Sequence, residues 1–298
     1  MKMYLHSNLP SKKNYTLAVF WLLSTNLISS VNDILTCTVG QTVHPIQVSF
    51  FRFVVTALSV LPFMLPKGAL SFRTKMPALH FWRALMGAFA IGCGAYSVLR
   101  FPLLKNTCIS FTEPLFFLPL AVIFLREKVD TVRWGCTLLG FLGIVLITYQ
   151  DFRTFNLWVL VPLLGTLAFA VMDLLAKKMV YEETLTTLLF YFGLGTSLVF
   201  LVPALLVWEP LTWKQAALLT GLGVNGNLIQ ICMFQAFKAA DVSGLMPLRY
   251  TEFLFTFLGG WLFFSQVPTL SLLAGGVLII VSACVVTLWE RRKERGKR

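Results

Sequence analysis

The chain has 298 residues, 57% of them hydrophobic and only 13% charged, with a formal net charge of +12. A soluble domain carries about 25% charged residues, so these values exclude an ordinary water-soluble globule and point to lipid as the solvent. The positive charge does not mark a nucleic-acid binder, because six of the 25 Lys and Arg residues lie in the terminal "RRKERGKR" and the others fall mainly in short gaps between apolar runs.

A basic tail, residues 1–14, leads into the first apolar run. That run is long, contains Asn26, Asn32 and Asp33, and lacks a small-residue cleavage pattern, so it reads as a span and not as a removable signal. Crossing a bilayer takes about 20 mainly apolar residues. Spans of that kind are predicted at 15–36, 45–65, 80–100, 104–125, 131–149, 157–176, 185–207, 214–237, 243–264 and 269–289, with a basic tail at 290–298. With the N-terminus inside, 18 Lys and Arg residues fall on the inner side and 4 on the outer; Arg52, Arg83 and Arg249 lie within spans. Positive loops resist translocation, so both termini are expected in the cytoplasm.

Two segments of the chain answer each other. "SFTEPLFF" (110–117) and "RYTEFLFT" (249–256) place Glu113 and Glu252 139 residues apart. "FFRFVV" (50–55) matches "LFYFGL" (189–194), setting Arg52 opposite Tyr191, and "SVNDILTC" (30–37) matches "AVMDLLAK" (170–177), setting Asp33 opposite Asp173. The predicted architecture is therefore an all-α polytopic membrane protein of ten transmembrane helices. It divides into two five-helix repeats, 15–150 and 151–289. Five is odd, so the second repeat enters the membrane from the other side, and the expected site lies near the midplane between the halves.

Charged side chains at that depth cost at least ~2.5–3.5 kcal/mol and mark a site by default. Glu113 has no cation within a turn on its own helix, whereas Glu252 has Arg249 three residues before it, an arrangement that also suits a plain intrahelical pair. Asp33 continues a polar stripe through Asn26, Ser29 and Ser30; Asp173, with Lys177 at i+4, could equally be a helix-end salt bridge. Arg52 must pair across helices or with a ligand. "GLGVNGNLIQ" (221–230) adds Asn225, Asn227 and Gln230, or serves close packing through its glycines. Aromatic candidates beside the charges are Phe51, Tyr96, Phe190, Tyr191 and Tyr250. Four acids against two mid-span arginines suit an organic cation or a zwitterion bearing an added positive group, and aromatic walls suit a planar ring.

Other chemistries find no support. The six cysteines are scattered and form neither a disulfide framework nor a metal site, and no cofactor motif or phosphate-binding loop is present. His6, His44 and His80 all lie outside the spans or at their edges, which argues against an intramembrane enzyme.

The ten spans, the five-plus-five repeat, and the span ends "FLREKV" (124–129) and "FFSQVP" (263–268) resemble the drug/metabolite transporter superfamily of EamA type. Gln266 stands where the first repeat has Glu127, which favours a structural role for Glu127 at a helix end. More narrowly, "SSVNDILT" (29–36), "SFFRFVV" (49–55), "AFAVMDLLAKKMV" (168–180) and "MPLRYTEFLF" (246–255) are similar to the S-adenosylmethionine transporters of obligate intracellular bacteria. That resemblance implies a secondary transporter of the bacterial inner membrane, monomer or homodimer, that imports S-adenosylmethionine, with exchange for S-adenosylhomocysteine as one coupling. It implies that Glu113 and Glu252 face the sulfonium or amine, that Arg52 or Arg249 takes the carboxylate, and that Tyr191 or Tyr250 stacks on adenine. The alternative within the superfamily is an amino-acid or amine exporter.

Overall fold

The computed structural model describes residues 14–40, 42–100, 109–148, 157–264 and 270–295, and every regular element among them is helical. The helices are α1 (Tyr15–Gly40), α2 (Pro45–Met64), α3 (Pro77–Arg100), α4 (Glu113–Leu120), α5 (Thr131–Thr148), α6 (Leu160–Met179), α7 (Leu185–Leu206), α8 (Trp213–Ala239), α9 (Val242–Arg249), α10 (Thr251–Phe264) and α11 (Leu270–Arg295). A π-helical turn, Ala121–Leu125, extends α4. Residues 1–13, 41, 101–108, 149–156, 265–269 (Gln266 among them) and 296–298 lie outside the described residues.

Local sequence sets several helix starts. Pro45 occupies the first turn of α2, where its missing N–H is not needed, and the Ile46 amide donates to His44 Nδ1. Thr184 accepts from the Thr187 amide at the start of α7, and Thr212 with Gln215 forms a reciprocal capping box on α8.

Among the described residues, six helical stretches are long and apolar enough to cross a membrane, fewer than the ten predicted spans: Tyr15–Gly40, Pro45–Lys67, Leu157–Met179, Leu185–Leu206, Trp213–Ala239 and Leu273–Glu294. The shortfall has physical causes. α3 carries His80 and Arg83 among its apolar residues. The predicted fourth and ninth spans are each interrupted: a turn at 111–112 precedes α4, and Tyr250 separates α9 from α10.

α1 runs along α8 and α3 along α6, while α2 packs on α7 and α5 on α11. Further contacts join α2 to α8, α3 to α7, α1 to α10 and α4 to α6. Backbones meet where side chains are missing. A Cβ on Gly193 would lie 2.7 Å from the Ala57 nitrogen, and one on Gly143 would lie 2.7 Å from the Gly275 carbonyl oxygen. Gly193→Val is therefore expected to cost about 1–3 kcal/mol by overpacking. A lowered melting temperature in detergent checks this, and an unchanged one would show slack between α2 and α7.

The two ends of the chain meet on one face, hereafter the terminal face, where the Tyr15 amide donates to Glu294 Oε1 at 2.6 Å. The largest apolar cluster fills this half, with Leu22, Met64, Phe117, Phe234, Phe237 and Met246. The other half holds smaller clusters, such as Val39, Val48, Leu219 and Leu222. Along the polar stripe of α1, Asn26 and Ser30 are buried but Asp33 and Thr36 are exposed. At 100° per residue, Asp33 points roughly away from the outward-facing Leu17, Phe20, Leu27 and Val31. Asp33 and Thr36 therefore line an exposed surface turned from the outward apolar residues, a vestibule in the half away from the terminal face.

Candidate functional site

The two Thr-Glu motifs mark two helix interruptions of the same construction. Thr112 Oγ1 donates to the Ile109 carbonyl at 2.6 Å, and Thr251 Oγ1 donates to the Leu248 carbonyl at 2.7 Å. Each hydroxyl satisfies an acceptor beside the break, as buried backbone requires in lipid. A second side chain from another helix serves the same carbonyls: Asn26 Nδ2 reaches Leu248 O at 3.0 Å, and Thr166 Oγ1 reaches Ile109 O at 3.4 Å. Both glutamates therefore sit in the first turn of a restarted helix, where the partial positive charge of free amides favours a carboxylate. Pro114 follows Glu113 in that same turn, a position that tolerates proline.

Arg249, at the end of α9, holds the first acid pair together. Its Nη1 lies 2.7 Å from Glu113 Oε1 and 2.8 Å from Asp173 Oδ2, with side-chain exposures of 17, 11 and 9% respectively. The intrahelical pairing of Arg249 with Glu252, one of the two readings of that spacing, is not the salt bridge that forms. The chain turns at Tyr250, so the guanidinium bonds the carboxylates of α4 and α6 instead of the residue three positions on. Asp173 likewise joins a cross-helix cluster, while Lys177 donates to the carbonyls of Phe237 and Ala240 at the end of α8.

Glu252 belongs to a second group. Ser29 Oγ donates to Glu252 Oε1 at 2.5 Å, and Thr256 Oγ1 lies 3.5 Å from Asp33 Oδ2. Asp33 and Glu252 feel each other's charge, and Arg52 partly offsets Asp33. Among the described residues no carboxylate stands at ion-pair distance from Arg52. Its guanidinium borders Gly226 and lies 5.5 Å from the Phe53 ring centroid. One acid pair thus holds an internal cation, and the other faces the vestibule with only neutral hydrogen-bond partners.

A third arginine joins the polar interior. Arg83 is fully buried on α3, where it donates to Leu188 O at 3.0 Å and Gln230 Oε1 at 2.9 Å, and it lies 4.3 Å from the Phe192 ring centroid. Its charge also acts on Asp173. The signal for it was present, since it is an arginine inside an apolar run with no acid within a turn. Reasoning from the acids outward passed over it.

The aromatic and amide candidates are engaged elsewhere. Tyr250 is completely buried with Phe111, Phe253, Ile144 and Ile279, its ring against Gly140, so it cannot stack on a ligand in the vestibule. Tyr191 donates to Phe72 O at 2.6 Å and packs on His80, while Phe190 packs on Phe72. Tyr96 lies beside Trp158 and Arg100, at the far end of α3 from His80. Asn227 donates to Thr56 O and Ser59 Oγ, tying α8 to α2, and Asn225 donates to Ile28 O. A Cβ on Gly223 would come within 2.8 Å of the Arg52 carbonyl oxygen, so this stretch of α8 serves close packing. Among the described residues, no group of three or more His, Cys, Asp and Glu could hold a metal ion.

Buried carboxylates and guanidiniums between apolar helices are the furniture of a translocation pathway. Residues 16–149 and 156–288 each match the EamA-like transporter family. The chain belongs to that family. It is 32% identical over 286 residues to an S-adenosylmethionine uptake transporter of Rickettsia bellii, covering 96% of this chain and 98% of that one. A protein of the same description from Rickettsia felis is 32% identical over 280 residues, covering 94% and 95%. A solved crystal structure superposes with a TM-score of 0.79 at 18% identity, over 94% of this chain and 99% of the other, and shows the fold alone. The EamA-like chain is thus a multi-pass membrane protein, and its family and relatives are transporters, not enzymes.

Proposed function

We propose that this chain is a secondary transporter of S-adenosylmethionine that works by alternating access across a bacterial inner membrane. The observation that carries the substrate is the nearly full-length likeness to two uptake transporters described by that ligand. The charge of the site agrees with it. Asp33, Glu113, Asp173 and Glu252 against Arg52, Arg83 and Arg249 leave one formal negative charge. S-adenosylmethionine, with a sulfonium, an ammonium and a carboxylate, carries one positive charge. Its demethylated product carries none.

We further infer ten spans in two inverted repeats, residues 15–150 and 151–289, with both termini cytoplasmic. Exchanging each first-repeat helix for its second-repeat counterpart turns the α1–α8 contact into α6–α3, and α1–α10 into α6–α4, while α2–α7 and α5–α11 map onto themselves. The bonds Asn26 to Leu248 O and Thr166 to Ile109 O exchange in the same way. In this arrangement Glu113 with Asp173 and Glu252 with Asp33 are equivalent pairs. Arg249 fills the first, and its counterpart at the second is Ser110. The ligand's cationic centre is therefore placed between Asp33 and Glu252, with Arg52 beside it for the carboxylate.

The test is uptake of labelled S-adenosylmethionine into proteoliposomes, with and without internal S-adenosylhomocysteine and with an imposed potential. A cation moving inward gains about 2.3 kcal/mol per 100 mV, so saturable uptake stimulated by an inside-negative potential is expected. Stimulation by the internal product identifies exchange. Folded protein that neither accumulates the ligand nor is protected by it returns the substrate to amino acids and amines.

A further inference from the structure

We propose that Glu127 is a positioning residue that latches the terminal face shut, and that α9 links its state to Arg249 in the site. The proposal rests on the transporter reading above but not on its substrate.

Glu127 follows the π-helical extension of α4, and its carboxylate spans the start of α9. The Val242 amide donates to Oε1 at 3.1 Å, the Ser243 amide donates to Oε2 at 3.0 Å, and Ser243 Oγ donates to Oε2 at 2.6 Å. The helix receives no cap from its own Asp241 side chain. That residue instead faces Arg133 Nη2 at 3.5 Å. Arg133, itself buried, also bonds Glu290 Oε1 and Ser243 Oγ at 2.7 Å each. Tyr15 Oη donates to Gly244 O at 2.9 Å. Lys293 clamps Asp130 at 2.5 Å and holds that carboxyl below the usual range through this hydrogen bond. Four elements thus converge on one end of α9.

The other end of α9 is Arg249, roughly 12 Å away at 1.5 Å per residue. Arg249 bonds Glu113, which opens α4, and Glu127 stands beyond the other end of α4. The two segments therefore run antiparallel and are tied at both ends, at the site by Glu113 with Arg249 and at the terminal face by Glu127 with Val242 and Ser243. Opening the terminal face by separating them must break the Glu127 end, and α9 is too short to move that end while leaving Arg249 where it is. The backbone before the latch supports a specific placement. Arg126 adopts φ 56°, the left-handed region that disfavours a side chain. A carboxylate accepting three bonds is a strong tie. The position matching Glu127 in the second repeat's sequence is Gln266, which lacks the charge.

Labelling with a membrane-impermeant maleimide tests this in reconstituted full-length protein, subtracting the signal of the natural cysteines. Thr36→Cys reports opening of the vestibule, and Ser30→Cys, buried here, reports access from the terminal face. Glu127→Gln is expected to slow labelling at Thr36→Cys at least threefold and to speed terminal-side labelling at Ser30→Cys. Glu127→Asp should restore part of the difference. A merely structural role would change both sites in the same direction, and that result, or unchanged rates, overturns the proposal. Where Glu127→Gln is not recovered folded, Ser243→Ala removes one of the three bonds and must give the same opposite-signed shift, or the latch is rejected. Neither reporter needs a transported ligand, so a failure of S-adenosylmethionine uptake leaves this outcome standing.

Discussion

Arg249→Met is expected to abolish uptake and to lower the melting temperature more than any other single substitution in the site. The guanidinium is the direct ion-pair partner of Glu113 and Asp173, and both carboxylates are nearly buried. Removing one partner of a buried ion pair typically costs about 3–5 kcal/mol, because the remaining charge is left uncompensated. The origin of the loss can be separated from simple packing by neutralising the acids as well. Glu113→Gln and Asp173→Asn, added to Arg249→Met, should recover much of the stability while leaving uptake dead. Thermal unfolding in detergent and uptake in proteoliposomes measure the two effects side by side. A triple variant as unstable as Arg249→Met would mean that the arginine acts through its shape and not its charge.

Glu252→Gln and Asp33→Asn should behave in the opposite way, keeping the fold and losing the ligand. Their hydrogen-bond partners, Ser29 and Thr256, are neutral, so neutralising either acid leaves no charged hydrogen-bond partner orphaned. A hydrogen bond to a charged group contributes about 1.5–3 kcal/mol. Each substitution should therefore raise the KM for S-adenosylmethionine roughly ten- to a hundredfold, with a melting temperature at or above that of the parent. Uptake kinetics at constant membrane potential give the comparison. Parent-like KM values in both variants would remove this pair from the binding site and leave the vestibule without its anionic floor.

The helices, the Thr-Glu motif and the near-constant offset of about 139 residues were legible because they are local patterns. Apolar length, a turn residue and a repeated Thr-Glu pair each speak within one stretch of chain. The function of the threonine was not legible in that way, since its value is to satisfy a carbonyl that only a broken helix leaves free. Pairings between helices were harder still. Arg249 and Glu252 lie three residues apart and looked like partners, yet the arginine finds Glu113 across 136 residues of chain. The placement of Tyr250 was hidden for a related reason. An aromatic near a charge in sequence can face the cavity or the packed interior, and Tyr250 faces Phe111 and Gly140. Glu127 was expected to act at the end of its own helix, but the helix start its carboxylate accepts from lies 115 residues later.

The seating of Arg249 between Glu113 and Asp173 has a consequence for stoichiometry. A chain made of two equivalent halves would ordinarily offer two equal sites, as a homodimer does. Here one acid pair, built from both halves, already holds a cation that is covalently the protein's own, permanently bound and impossible to dilute away. Under the proposed inverted-repeat arrangement only one of the two equivalent acid pairs would be left to take an exchangeable cation. Moving the arginine to the equivalent place, Ser110→Arg together with Arg249→Ser, would exchange which acid pair is occupied and which is vacant.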